Sequence, residues 1–430
     1  MPRPRPPSRI EPLTFPVFGI SWFGNPGDGT SYTAYCGGGG SARTGVGNSC
    51  IVQTPASQNG MDVPLTISTG DDIGVALQIY QNPVTGKVWL IVALSHEIHR
   101  YSLPSGKPDG VINVGEGVNA VGVNGMTDQM AVGCDSGLVK VYAMTDEDFA
   151  TAEPAHVCEG HEKTVCACTF SMRGGRLLTS AKDGTAKVWK NGQLLATLEC
   201  SVEDPKAKGP KPKRPPQVLV RGCAFADLEG RVALTVASGR RGAAFLAQWI
   251  QDENGFSCAV RTNCSPCPIS AMDLSADAGL MALGSVDGSI ILWDVAAWKT
   301  MKTFKEVHDL PVTGIAARPF PVPLQGEDNG VQIHARSASA DSQLACLTLQ
   351  RKAPKQGGES SSSGYFGLTL LTRLLYLLML LWAVYPIFRE GQQKCLETYQ
   401  TTGLKALRQC IVEELLIAPS WRPGVSVPPH

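Results

Sequence analysis

At 430 residues the chain holds enough apolar material for one large repeat domain or two to three ordinary domains. Its 38 basic and 38 acidic residues cancel to a formal net charge of 0, which excludes a global field that recruits nucleic acid or membrane and leaves such binding to local patches. The 14 cysteines are too irregular for a disulfide framework; all but Cys395 and Cys410 sit singly within apolar runs such as Cys166-Ala-Cys168, as suits reduced, buried thiols in a cytosolic domain.

Residues 1–14 are rich in proline and arginine with no apolar run behind them, so they read as a disordered N-terminus without a signal peptide. Two strand-favouring runs follow, Ser31 to Cys36 and Ser49 to Gln53, and between them lies Gly37 to Asn48, with six glycines. Such a connection commonly needs only about two to five residues. Consecutive glycines can turn their carbonyls inward without Cβ clashes, so this loop could wrap a cation in peptide oxygens or lie flat against a partner; composition also admits a loose hairpin tip. A phosphate cradle is set aside, because no lysine follows the glycines and Arg43 stands where the dinucleotide motif counted from Gly38 needs its third glycine. His96-Glu-Ile-His99 lacks the spacing of a zinc-binding helix and reads as a surface strand.

From residue 15 to 350 the chain repeats. An apolar strand, small residues, an Asp-Gly turn or a relative of it, and a strand ending in an aromatic recur around Asp135, Asp183 and Asp287, with a degenerate copy at Asp341. The 104 residues between Asp183 and Asp287 hold one unmarked copy, Cys223 to Trp249, where Arg240-Arg-Gly242 replaces the turn. Gly160-His161 leading to Val165–Phe170 and Trp189 gives the Gly-His to Trp span of a WD blade. The reading is all-β, a seven-bladed WD-type propeller with blades near 15–55, 65–102, 118–143, 160–191, 218–250, 268–295 and 311–349. Asp183 and Asp287 are expected to stabilise tight turns, and Cys264-Ser-Pro-Cys267, without two further ligands, to be structural. A basic insertion near 203–217 carries five positive charges and no aromatic to stack a base, so no nucleic-acid partner is expected.

Residues 351–364 form a flexible linker of Lys, Gly and Ser. Residues 365–388 contain one charge, Arg373, and as a helix would measure roughly 36 Å, enough for a bilayer core of about 30 Å. Arg373 is placed to snorkel, and Tyr365, Trp382 and Tyr385 to sit in aromatic belts. Basic residues divide evenly across this span, so orientation is read from the thiols: a cytosolic propeller and a lumenal tail, 389–430, in which Cys395 and Cys410 could pair.

A seven-bladed WD propeller with a glycine run in its first blade and one span after the last resembles the Sec-twelve family. Gly37, Gly38, Gly39 and Gly40, then Thr44-Gly45 and Asn48, match that family's four glycines followed by Thr-Gly-x-x-Asn. The resemblance implies that the loop binds a potassium ion through backbone oxygens, with Gly37 to Gly40 as candidate ligands, and forms part of the surface that engages a Sar-type small GTPase. Arg43 or Thr44 would be presented to that partner. It further implies a guanine nucleotide exchange factor at the endoplasmic reticulum membrane that starts COPII coat assembly in ER-to-Golgi transport. Such a factor makes no bonds, so no catalytic residue in that sense and no small-molecule substrate is expected. The alternative is an exchange-inactive, ER-anchored WD scaffold or accessory factor that promotes cargo exit.

Overall fold

The computed structural model describes residues 9–25, 30–40, 45–54, 63–144, 149–173, 175–203, 217–319 and 333–349. These form seven four-stranded antiparallel sheets. The first strand, β1 (Arg9–Pro12), belongs to the last sheet. Blade one is β2 (Val17–Gly24), β3 (Ser31–Gly37), β4 (Asn48–Gln53) and β5 (Leu65–Gly70). Blade two is β6 (Ala76–Gln81), β7 (Val88–Ala93), β8 (Glu97–Leu103) and β9 (Lys107–Asn113). Blade three is β10 (Val118–Asn124), β11 (Gln129–Cys134), β12 (Val139–Ala143) and β13 (His156–Cys158). Blade four is β14 (Val165–Phe170), β15 (Arg176–Ala181), β16 (Thr185–Lys190) and β17 (Gln193–Glu199). Blade five is β18 (Val218–Phe225), β19 (Val232–Gly239), β20 (Ala244–Asp252) and β21 (Gly255–Ser265). Blade six is β22 (Ile269–Leu274), β23 (Leu280–Ser285), β24 (Ile290–Asp294) and β25 (Lys299–Phe304). Blade seven is β26 (Val312–Ala317), β27 (Ile333–Ser339) and β28 (Gln343–Thr348), completed by β1.

The apolar core is divided among the interfaces between neighbouring blades, and the ring is closed. Leu178, Val188 and Leu198 of blade four meet Val220, Phe225 and Trp249 of blade five, and Val17, Trp22 and Tyr35 of blade one meet Ala316, Ala338 and Leu344 of blade seven. The same closure is reinforced by β1, which pairs antiparallel with β28 from Arg9 opposite Cys346 to Pro12 opposite Gln343, so the N-terminal chain completes the last blade. All seven sheets and the closing strand therefore lie within residues 9–349, a unit complete in itself.

Small residues set how closely the inner strands approach. A Cβ on Gly122 would lie 2.2 Å from the Cys168 carbonyl of the next blade, and one on Gly222 2.6 Å from the Met272 side chain. These positions admit only hydrogen because adjacent inner strands converge toward the axis.

Several boundaries differ from the sequence reading: the outer strands β9, β13, β17, β21 and β25 lie beyond the ranges assigned to blades two to six, and two further differences fall at the start of the chain. Residues 1–14 were expected to be disordered, whereas Arg9–Pro12 form the outer strand of blade seven; an edge strand pairs on one side only, so it tolerates proline that a central strand would not. Leu65–Gly70 opens the range assigned to blade two but is the outer strand of blade one, and blade two begins at Ala76. Among the described residues no helix is long and apolar enough to cross a membrane; residues 365–388, the linker, the tail and the basic stretch 204–216 lie outside them.

Because the first strand of every blade is innermost, the turns from first to second strand open on one face. The second-to-third loops and the crossovers between blades open on the opposite face. The glycine stretch, joining β3 to β4, lies on the second of these faces.

Candidate functional site

β3 continues regularly to Gly37, which pairs with Val17 on one side and Ser49 on the other. A Cβ there would fall 1.9 Å from the Pro16 carbonyl oxygen, so only glycine fits. Gly38 N then donates to the same Pro16 oxygen at 3.0 Å, and a Cβ on Gly38 would lie 2.2 Å from Asn48 Oδ1. Gly40 has φ +75° and packs against Ile73 in the crossover to blade two.

The stem of the loop is locked by one side chain. Asn48, buried at the first position of β4, accepts at Oδ1 from Gly40 N at 2.9 Å. Its Nδ2 donates to Gly40 O at 3.3 Å and to Gly70 O at 3.1 Å, tying the loop to the end of β5. An amide is suited to this because it is donor and acceptor at once. Of the residues that the sequence singled out, the structure thus brings together Gly37, Gly38, Gly40 and Asn48, with Gly39 between them and Gly45 on the far side of the loop at φ +76°. Arg43, Thr44, Arg373, Trp382 and Tyr385 lie outside the described residues.

Among the described residues no cluster of three or more His, Cys, Asp or Glu is placed to hold a metal ion; Gly37 is held in the ladder between Val17 and Ser49, and Gly40 O already accepts from Asn48 Nδ2. Neutral carbonyls suit a weakly hydrated monovalent ion better than a divalent one, which draws carboxylates. Asn48 by itself orders the stem of the loop at Gly40.

The rest of this face is built from WD-type networks that stabilise turns. His161 Nδ1 lies 2.9 Å from the Asp183 carboxylate and its Nε2 2.8 Å from Thr179 Oγ1, to which Trp189 Nε1 also donates at 2.8 Å. Burial alone would raise the Asp183 carboxyl, but hydrogen bonds from His161 and Thr185 outweigh it and hold the group well below the usual carboxylate range. Blade seven repeats the arrangement with His308, Asp341 and Ser337, and burial pushes His308 down despite Asp341 beside it. Asp287 accepts from Ser289 N at 3.0 Å, so both aspartates assigned to turns serve there.

Among the described residues the thiols of Cys36, Cys50 and Cys264 are not activated nucleophiles. Burial pushes Cys50 and Cys264 up to about 12, and Cys36 well above its ordinary value. Cys264 Sγ donates to the Ala244 carbonyl at 3.4 Å and Cys267 remains a free thiol, which is the structural role read for this pair.

Asp273 was not singled out by the sequence. It lines a central cavity of about 580 Å³ bounded by the inner strands, and burial pushes its carboxyl up to about 6 although Ala317 N donates to it at 2.7 Å. Nothing in its neighbourhood of chain, Ser270-Ala-Met-Asp-Leu, distinguishes it from a solvent-facing strand residue.

The WD domain, G-beta repeat family matches residues 152–190 and 257–294. The first match begins just before the outer strand of blade three and the second within that of blade five, and each ends on the third strand of the next blade, so the sequence repeat straddles two sheets. The WD repeat and HMG-box DNA-binding protein 1 of Xenopus laevis is 23% identical over 273 residues, covering 62% of this chain and 22% of that protein. The chain therefore spans less than a quarter of that relative's length. Among solved structures, a chain of the mitotic checkpoint complex crystal structure superposes with a TM-score of 0.58 at 12% identity, over 82% of this chain and 95% of that one. At this identity the likeness shows the fold alone. Seven four-stranded sheets in a closed ring, a His-Asp-Thr-Trp network in blade four with a His-Asp-Ser relative in blade seven, and two matched repeats define a WD-repeat β-propeller protein, an architecture that offers its loops as an interaction platform.

Proposed function

We propose that this protein is a guanine nucleotide exchange factor for a Sar-type small GTPase, anchored in the endoplasmic reticulum membrane by residues 365–388 with its propeller in the cytosol. The observation that carries the reading is the locked stem of the glycine loop: a long glycine-rich connection that would otherwise be soft is pinned by Asn48 on an open face of the propeller. Exchange requires such stiffness. A surface that binds the nucleotide-free GTPase more tightly than the loaded one weakens the nucleotide's affinity by the same factor, whereas a loop that adapts to both states shifts neither.

Gly37 to Gly40 would hold the potassium ion through peptide oxygens, and the ion would supply a fixed positive charge that stiffens the loop tip. Asn48 positions Gly40, and Arg43 or Thr44 is the side chain that would meet the partner. The test is release of a labelled guanine nucleotide from a purified Sar-type GTPase, with residues 1–350 added in potassium and then in sodium buffer. Release accelerated by the propeller, and more in potassium than in sodium, is expected. Binding of the GTPase without accelerated release would instead make the protein an ER-anchored scaffold or accessory factor for cargo exit. Salt-sensitive binding to DNA, with a log–log slope of about −4.5 from five phosphate contacts, would favour a nucleic-acid role through the basic stretch.

A further inference from the structure

The inner strands share one irregularity. In every blade but the second, the ladder between first and second strands slips by one residue near the start of the inner strand, at Phe18, Asn119, Cys166, Arg221, Ser270 and Thr313. A bulge re-aims its side chain, and all six line the axial cavity, half-buried, at its end on the glycine-loop face.

Five members of this ring are apolar or already committed. Ser270 Oγ donates to Val312 O at 2.6 Å, Thr313 Oγ1 to Val17 O at 2.5 Å, Asn119 Nδ2 to the Asp135 carboxylate at 2.5 Å and Cys166 Sγ to Thr164 O at 3.8 Å, while Phe18 has nothing to donate. Arg221 is the exception. Among the described residues its guanidinium has no hydrogen bond and no ion pair, and it is the one cation lining the cavity.

The charges around it are accounted for. Burial pushes the Cys166 thiol up, Arg221 and then Lys182 pull it back and Asp183 adds to the rise, which places both cations at this mouth. Asp183 is held by His161 Nδ1, Glu162 N and Thr185 N. Asp273 lies deeper on β22, about 10 Å below Ser270 at about 3.3 Å per residue. Asp227 and Asp277, at the far end of the cavity, accept from backbone amides of their own turns. Farther out around blades four and five, Lys163, Arg240 and Arg241 are exposed beside Glu159, Glu162 and Glu203, so the rim is mixed and selection falls to the mouth.

We propose that the mouth around Arg221 is a socket for one carboxylate side chain of the protein that docks over the glycine loop; this rests on the reading of that face as the one that engages a GTPase. A guanidinium matches a carboxylate through two parallel N–H···O bonds. Because the neighbouring ring donors point elsewhere, a free anion is held only weakly, as in exposed ion pairs. A carboxylate carried on a docked protein arrives already positioned and meets the guanidinium away from water.

Cys166 reports on the socket directly. In residues 1–350, alkylation by iodoacetate, which carries a carboxylate, is compared with alkylation by neutral iodoacetamide at each thiol by mass spectrometry. The ratio cancels the reactivity of the thiol itself. Arg221→Gln should lower the ratio at Cys166 about threefold or more and leave it unchanged at Cys258, exposed on β21. The melting temperature should hold, since Arg221 bonds to nothing in the protein. Affinity for a purified, nucleotide-free Sar-type GTPase should fall about tenfold in Arg221→Gln and less in Arg221→Lys.

A Cys166 ratio that Arg221→Gln does not move overturns the proposal. So does tight binding of inorganic phosphate in calorimetry that is lost in Arg221→Gln, which would make a free oxyanion the occupant. A GTPase that binds native and Arg221→Gln propellers alike refutes the socket alone. A native propeller that does not bind the GTPase refutes the docking reading and this inference with it.

Discussion

Replacing Asn48 by alanine removes three hydrogen bonds, at 2.9, 3.3 and 3.1 Å, and leaves the Gly40 amide and two glycine carbonyls to find water. At about 0.5–1.5 kcal/mol for each bond, with the 3.3 Å contact at the weak end, the loop stem loses about 2 kcal/mol of local stability. That corresponds to about 30-fold faster hydrogen exchange at Gly40 if opening of the stem governs exchange there. The ladder between β3 and β4 is untouched, so amides of Tyr35 and Ile51 should exchange as before and the melting temperature should move little. Asn48→Asp sharpens the test, because the carboxylate keeps an acceptor for Gly40 N but cannot donate to Gly40 O or Gly70 O and sets a charge against both carbonyls. Gly40 exchange that is unchanged in Asn48→Ala, or a general loss of protection across blade one, would refute the idea of a local lock.

Further expectations follow from the ring itself. Gly122→Ala drives a methyl to within 2.2 Å of the Cys168 carbonyl and should cost about 1–3 kcal/mol, seen as a lower melting temperature. Deleting residues 1–12 strips β1 from β28, which should lower thermal stability and promote self-association detectable by sedimentation, because an open edge recruits other strands. For Asp273 the folded carboxyl sits near 6 against 3.8 for an ordinary aspartate, so the folded state binds the extra proton and stability falls as pH rises through that window. Asp273→Asn should flatten the pH dependence between those values and raise stability at neutral pH by about 1–3 kcal/mol, less whatever the weaker bond to Ala317 N forfeits. A denaturation series at about pH 4, 5, 6 and 7 reads the effect directly.

The architecture was legible where local chemistry repeats. Asp183 and Asp287 announce their turns because a tight hairpin demands such residues, and Trp189 and Trp293 close third strands that are buried on both faces. The outer strands were not legible. Gln193–Glu199 and Lys107–Asn113 each bury a single apolar side chain, Leu198 and Ile112, and an edge pattern of that kind carries almost no periodic signal. β1 was hidden more completely, since Pro12 and the charges around it resemble an unstructured end, and its pairing with residues more than three hundred positions away has no local cause. At the candidate site the glycines were visible as an excess with no hairpin explanation. What holds them, the Asn48 amide reaching Gly40 and Gly70, depends on a crossover between blades that sequence spacing does not encode. Asp273 escaped notice for the same reason, because its burial is created by seven strands meeting at an axis.

The central claim is that a stiffened glycine loop on blade one destabilises a bound nucleotide in a Sar-type GTPase. Its most direct measurement is the rate of labelled nucleotide release in potassium buffer with no propeller, with residues 1–350, and with the same unit carrying Asn48→Ala. The account predicts fast release with the native unit and release near the unassisted rate with the variant, at unchanged melting temperature. Native and variant propellers that accelerate release equally, or a native propeller that leaves the unassisted rate unchanged, would contradict it.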